Sequence, residues 1–249
     1  MKIYKYKDYE EVSKAAAAIV IKEMIQKPNA CLGLATGTTP IGLYQNLIKA
    51  YNDFIISFKD VKTFNLDEYV GIDKNHKESY YSFMHRHLFD HVDIKEENIN
   101  IPEGNIDELH TLAKAYNDKM FGNQRDLQIL GIGSNGHIGF NEPGSDLGNQ
   151  TFIVKLDEQT RKDNSRFFDS IDEVPTHAIT MGIKNIMYSK KILLIASGKS
   201  KSEAIYKMAY GKVDESVPAS ILQLHPNVVV IVDEDAASLL PMEGNYLEF

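Results

Sequence analysis

Short, largely apolar runs separated by longer amphipathic stretches constrain this chain most. "CLGLAT" (31–36), "VKTFNL" (61–66), "DLQILGI" (126–132), "KILLIAS" (191–197) and "VVVIV" (228–232) each read as a strand. A continuous apolar run suits a strand covered on both faces. Helices are expected between them. One contains Ala15–Ile21 behind an Asp8–Glu11 capping box, and one runs from Thr39-Pro40 to about Ala50. Others cover 78–91 and Asp107–Phe121, and one runs from a Ser200–Glu203 capping box through Ala209. Such alternation implies βαβ units. The expected fold is α/β: an open, mostly parallel sheet with helices on both faces, Rossmann-like and three-layered. No linker, repeat or low-complexity tract interrupts residues 1–249, which read as a single domain.

Ligands on such sheets bind beyond the carboxyl ends of the strands. Four of those ends are polar here: Thr36-Gly37-Thr38-Thr39, Asp67-Glu68-Tyr69, the loop 133–145, and Ser197-Gly198-Lys199-Ser200. Their convergence suggests a site for a small polar ligand. The formal charge of −8 argues against nonspecific attraction to nucleic acid or to an anionic membrane. An anionic ligand must then be held by local donors. Cys31 is the only cysteine, so no internal disulfide and no four-cysteine zinc site can form. The seven residues Ala15–Ile21 are too few to span a bilayer and lack a signal-peptide cleavage site. A cytoplasmic location is expected.

Several motifs compete. "GIGSNG" (131–136) matches the dinucleotide fingerprint, and Asp157 lies 21 residues beyond Gly136, where a ribose-binding acid would sit. A dinucleotide loop must open a helix, however. Residues 136–148 hold Gly136, Gly139, Gly144, Gly148 and Pro143. An interior glycine costs a helix about 1 kcal/mol and a proline about 3, so no NAD is expected. "GKS" (198–200) lacks the upstream glycine of a phosphate-binding loop, because Leu193 stands there. "TGTTP" (36–40) is the better phosphate candidate: Gly37 admits close approach, Thr38 and Thr39 offer hydroxyls, and a helix N-terminus follows. A plain capping turn is its alternative. His85, His87 and His91 lack the metalloprotease glutamate, so no metal is expected. Asp67 and Glu68 point in different directions, so at most one faces the site. His137 can take and return a proton, Glu142 can orient its ring and favour the imidazolium form, and Asn135 can only position.

Six blocks in this order, "LGLATGTTPIGLY", "FNLDEY", "GIGSNGHIGFNEPGS", "NSRFFD", "HAITMGI" and "LQLHP", closely resemble the glucosamine/galactosamine-6-phosphate isomerase family from about residue 30 to 230. The resemblance implies aldose–ketose isomerisation with loss of ammonia, a hydrolytic deamination that needs neither metal nor cofactor. It implies Asp67 as the enolising base and His137 as the acid/base that opens the sugar ring, with Asn135 and Glu142 supporting it. It further implies Thr36, Gly37, Thr38, Thr39, Gly131, Arg166 and Lys201 around the sugar and its phosphate. The segment 148–170 is expected to form a lid.

Two departures matter. Some members of the family carry Asp where Asn135 stands, so Glu142 is the anionic partner of His137 here. Hexameric members use basic residues to bind N-acetylglucosamine 6-phosphate as an activator, and those positions align with Phe152 and Val154. A monomer without that activation is therefore expected, and the early stop at Phe249 points the same way. The rival readings are a 6-phosphogluconolactonase-type hydrolase and a non-catalytic sugar-phosphate sensor. The acids after "NL" and the His137–Glu142 pair speak against both.

Overall fold

The computed structural model describes residues 1–104, 108–156, 158–165, 168–241 and 246–248. The chain opens with β1 (Lys2–Tyr6) and α1 (Tyr9–Gln26), then β2 (Cys31–Leu34), α2 (Ile41–Asn52) and β3 (Lys62–Asn65). Next come β4 (Asp67–Tyr69), α3 (Tyr80–His87), β5 (Ile99–Asn100), α4 (Leu109–Phe121) and β6 (Leu127–Leu130). These are followed by β7 (Phe152–Lys155), α5 (Glu158–Ser165), β8 (His177–Thr180) and α6 (Ile183–Met187). The chain finishes with β9 (Ile192–Ala196), α7 (Ser202–Tyr210), β10 (Val228–Asp233) and β11 (Tyr246–Glu248).

The main sheet has the order β11-β1-β10-β9-β6-β2-β3-β5, and every pair in it is parallel. Its central strands β2, β6 and β9 are buried along their whole length, as their largely apolar sequences require, with Gln128 of β6 buried among them. Helices cover both faces: α1 and α2 pack together on one, α4 and α6 lie together on the other. The Asp8 cap of α1 forms, its carboxylate accepting from the Glu11 N–H at 3.0 Å. Val12, Ala16, Val20 and Met24, spaced four apart, form the buried stripe of that helix. No described helix is long and apolar enough to cross a membrane.

Strand order explains where the site lies. From β2 the chain steps outward through β3 to β5, whereas from β6 it steps the other way through β9 to β10. Neighbouring strands β2 and β6 therefore flank the topological switch point, the crevice where open α/β sheets hold ligands.

A second sheet was not visible in the sequence. Strands β4, β8 and β7 pair antiparallel in the order β4-β8-β7 and rest on their own apolar cluster, which includes Tyr69, Phe140, Leu156 and Phe168. These strands have three or four residues, too few for a clear period. Leu66 is the joint. Its N–H donates to Leu34 O (3.1 Å) in the main sheet, and its carbonyl accepts from Met181 N (2.7 Å) beside the small one. Asp67 thus opens a new strand instead of ending the old one. Part of the expected lid, 148–170, is β7, an edge strand of this small sheet.

Candidate active site

Each loop at the switch point is shaped by a local requirement of its sequence. In the turn after β2, Gly37 sits at φ +88°, a conformation glycine adopts without steric cost. The next two carbonyls, of Thr38 and Thr39, lie 3.1 Å from the Tyr9 hydroxyl, which in turn accepts from Gly42 N at 2.9 Å. Tyr9 begins α1, so one phenol fastens the threonine loop to the first turn of α2. Tyr9→Phe should raise the KM for a phosphorylated substrate roughly fivefold, the worth of about 1 kcal/mol of hydrogen bonding, with kcat little changed. Steady-state kinetics checks this, and an unchanged KM would refute it.

The loop after β6 is built around His137. A Cβ on Gly133 would overlap the imidazole ring, so only glycine lets the ring lie there. Gly136, at φ +89°, faces Val217, whose Cγ1 would stand 2.7 Å from an added Cβ. His137 Nδ1 lies 3.2 Å from Glu142 Oε2. Asn135 Nδ2 donates to that same oxygen at 2.8 Å, and Asn135 Oδ1 accepts from the His137 N–H at 3.2 Å. Buried Asn141 ties the loop down through the Ile138 and Met181 carbonyls, both at 2.9 Å. The fingerprint glycines thus serve a histidine and a close approach. The next regular element after β6 is the strand β7, not the helix that a dinucleotide needs.

Asp67 enters the cleft from β4, across the antiparallel register from Thr180. The Thr180 hydroxyl accepts from Phe140 N at 3.1 Å. A Cβ on Gly139 would stand 3.2 Å from that hydroxyl and 3.6 Å from Asp67 Oδ2. Only 6% of Asp67 is exposed. Burial, reinforced by the neighbouring Glu68 carboxylate, pushes the Asp67 carboxyl up to about 8.

The fourth tip differs from expectation. The Ser200–Glu203 capping box does not form. A 3-10 turn, Lys199–Lys201, precedes α7, and Glu203 pairs with Lys207 at 2.7 Å. The anchor is Asp233 at the end of β10, which accepts from the Ser197 hydroxyl, from Gly198 N (2.9 Å) and from Ala236 N (2.7 Å). Gly198 at φ +90° turns the chain there and delivers Lys201 to the cleft.

The cleft so formed encloses about 280 Å³. Thr36, Gly37, Thr38, Thr39, Asp67, Gly131, His137 and Lys201 all border it. Nothing stands within 4 Å of a Cβ placed on Gly131, so the backbone there is open to a ligand. Asn135 and Glu142 stand behind His137. Arg166 and Asp157 lie outside the described residues. Tyr80 and Phe140 also line the cleft and were missed. The signal for Tyr80 was Ser79, whose hydroxyl caps α3 by accepting from Ser82 N at 3.0 Å. The three helical histidines are engaged separately: His85 with Asp90 (2.7 Å), His91 with the Arg86 carbonyl (2.9 Å), and His87 against the Phe83 ring. Among the described residues, no three His, Cys, Asp or Glu side chains converge as a metal site.

Chemically, the cleft offers two proton carriers, Asp67 and the Glu142-backed His137. At its other end stand a helix N-terminus, threonine hydroxyls and a lysine, which suit an anion. The model of the glucosamine-6-phosphate isomerases/6-phosphogluconolactonase family matches residues 7–231. A glucosamine-6-phosphate deaminase of Clostridium novyi is 54% identical over 241 residues, 96% of this chain and 100% of its own length. That of Clostridium acetobutylicum is 51% identical with the same coverage. The solved structure of a monomeric glucosamine-6-phosphate deaminase superposes with a TM-score of 0.94 at 47% identity, covering 96% of this chain and 100% of that one. A 6-phosphogluconolactonase from Trypanosoma brucei shares the fold at TM-score 0.79 and 18% identity, over 96% and 98% of the two chains. With the family model spanning most of the chain and relatives above half identity along nearly all of it, the protein belongs to the glucosamine-6-phosphate isomerase/6-phosphogluconolactonase family.

Proposed function

We propose that this chain converts glucosamine 6-phosphate and water to fructose 6-phosphate and ammonia. The observation that carries the reading is a buried carboxylate, Asp67, sharing one cleft with the His137–Glu142 pair and with a helix N-terminus fit for phosphate. The relatives near half identity support the substrate.

In this reading the phosphate docks at Thr38, Thr39 and Lys201, and Arg166 completes the clamp. His137 moves the proton between O1 and O5 that opens the ring. Glu142 and Asn135 hold the imidazole in place. Asp67 then takes the C2 proton and returns it to C1, leaving an imine at C2. Water hydrolyses that imine to the ketone and releases ammonia. Anchoring the phosphate far from C2 removes much of the orientational cost of the proton transfer, which can be worth several kcal/mol of barrier.

The reading extends to a monomeric cytoplasmic enzyme of amino-sugar breakdown, fed by N-acetylglucosamine and sialic acid. A monomeric relative at 47% identity supports the monomer. Phe152 and Val154 stand in β7, where a phosphate activator would need cations. Saturation with glucosamine 6-phosphate should therefore be hyperbolic, and N-acetylglucosamine 6-phosphate should leave it unchanged. A sigmoidal curve relaxed by that compound would overturn this point. The reading as a whole is tested by ammonia release from glucosamine 6-phosphate by purified protein. Binding of the sugar phosphate without ammonia would leave the sensor reading standing. Hydrolysis of 6-phosphogluconolactone in its place would establish the lactonase.

A further inference from the structure

Successive residues of a strand leave opposite faces. Asp67 enters the cleft, and Glu68 therefore turns away from it, against a separate cavity of about 840 Å³. Glu68 is only 4% exposed, yet it is not idle. Its Oε1 accepts from the Tyr69 and Tyr80 N–H groups at 2.9 Å each, and its Oε2 accepts from Tyr81 N at 3.0 Å. Tyr80 and Tyr81 are the first residues of α3, whose next donor, Ser82 N, goes to Ser79. A helix N-terminus carries free N–H groups and partial positive charge, so an anion is a fitting clamp there.

The helix end so held carries the Tyr80 ring. That ring lines the cleft, lies 4.8 Å from the Tyr69 ring, and stacks on Phe140 at 6.3 Å and 12°. Phe140 belongs to the loop that holds His137.

We propose that Glu68 is a positioning residue for the reaction. Its carboxylate fastens the start of α3 so that Tyr80 walls the cleft, and its charge, fixed on the far face of β4, acts on Asp67. The proposal rests on the deaminase reading, in which Asp67 is the base. The titratable groups around Asp67 are Glu68, adjacent on its own strand but on the other face, Tyr80 from α3, Tyr116 from α4, His137 from the loop after β6 and Lys201 at the cleft border. Burial holds Tyr80 and Tyr116 neutral, well above the ordinary tyrosine value. Burial raises the Glu68 carboxyl too, while the N–H bonds from Tyr80, Tyr81 and Tyr69 favour its charged form, and that charge opposes ionisation of Asp67.

The test compares Glu68→Gln with Ser79→Ala. Both loosen the start of α3, but only the first removes the charge. The readouts are thermal unfolding and the pH dependence of kcat/KM for ammonia release. Ser79→Ala should melt earlier with its acid limb unmoved. Glu68→Gln should melt earlier, and its acid limb should move down by about one pH unit, the size of a carboxylate–carboxylate interaction across a strand at moderate effective dielectric. Titration of the substrate amine is common to all three enzymes, so a difference between limbs belongs to the protein. A folded Glu68→Gln enzyme with an unmoved limb overturns the proposal, as does an equal shift in Ser79→Ala. Should Glu68→Gln not fold, Glu68→Asp keeps the charge with a shorter reach. A lower kcat with the limb in place then supports the proposal, and a moved limb overturns it. A wild-type protein that releases no ammonia overturns the deaminase reading and this proposal with it.

Discussion

Asp67→Asn should bind glucosamine 6-phosphate but release ammonia at least 10²–10⁴-fold more slowly than wild type, the usual worth of a positioned general base. The amide is isosteric and stays against Gly139 and Thr180, yet it cannot accept the C2 proton. Titration calorimetry and an ammonia assay separate the two effects, and wild-type turnover in this variant would remove Asp67 from the mechanism. The same residue sets a pH signature. Only ionised Asp67 can act as a base, and burial raises its carboxyl to about 8. The acid limb of kcat/KM should therefore lie near pH 8, far above the ordinary carboxylate range. Stability follows with the opposite sign. The folded state holds this proton more tightly than the unfolded chain, so ionisation costs stability. The cost is absent below about pH 4, grows as pH rises to about 8, and is constant beyond. Asp67→Asn should remove it, so the variant should melt above wild type at pH 9, and the gap should close toward pH 4. Thermal melts across that range check the sign.

Gly133→Ala should lower kcat by about 10²-fold or more with the fold intact. The methyl group would occupy the place of the His137 ring, so the imidazole must swing away from Glu142. Displacement of a reacting group by about 1 Å commonly costs that much. The backbone itself is not strained by the change, since φ at Gly133 lies outside the left-handed region. Circular dichroism and steady-state kinetics test the split, and a fully active Gly133→Ala enzyme would show that the ring has another place to go.

The parallel sheet was legible because a strand buried on both faces announces itself as an unbroken apolar run, as in "VVVIV". The polar tips were legible because such sheets place ligands at one edge. The small sheet was not, because three residues of β4 show no period and its partners come from more than 80 residues along the chain. Tyr80 and Phe140 escaped for a related reason: aromatic residues read as core, and only the tertiary fold shows which ones border a cleft. Glu68 was rightly separated from Asp67 by strand alternation, but the helix it clamps lies 12 residues away. The "GIGSNG" glycines match a dinucleotide fingerprint that the following Pro143 and glycines argue against, but the reason for Gly133, room for an imidazole, shows only in the fold.

One residue, Leu66, stands between the two sheets, bonded to Leu34 of the main one and to Met181 at the edge of the small one. On the deaminase reading the phosphate end of the cleft stands on the first sheet, and Asp67 stands on the second. Leu66 sets the separation between them along the chain, the bonds of Phe140 and Asn141 to Thr180 and Met181 brace it, and the cleft behaves as a calliper. On the deaminase reading it gauges how many carbons lie between a phosphate and the proton to be taken. A sugar phosphate one carbon shorter would seat its phosphate and leave C2 out of reach.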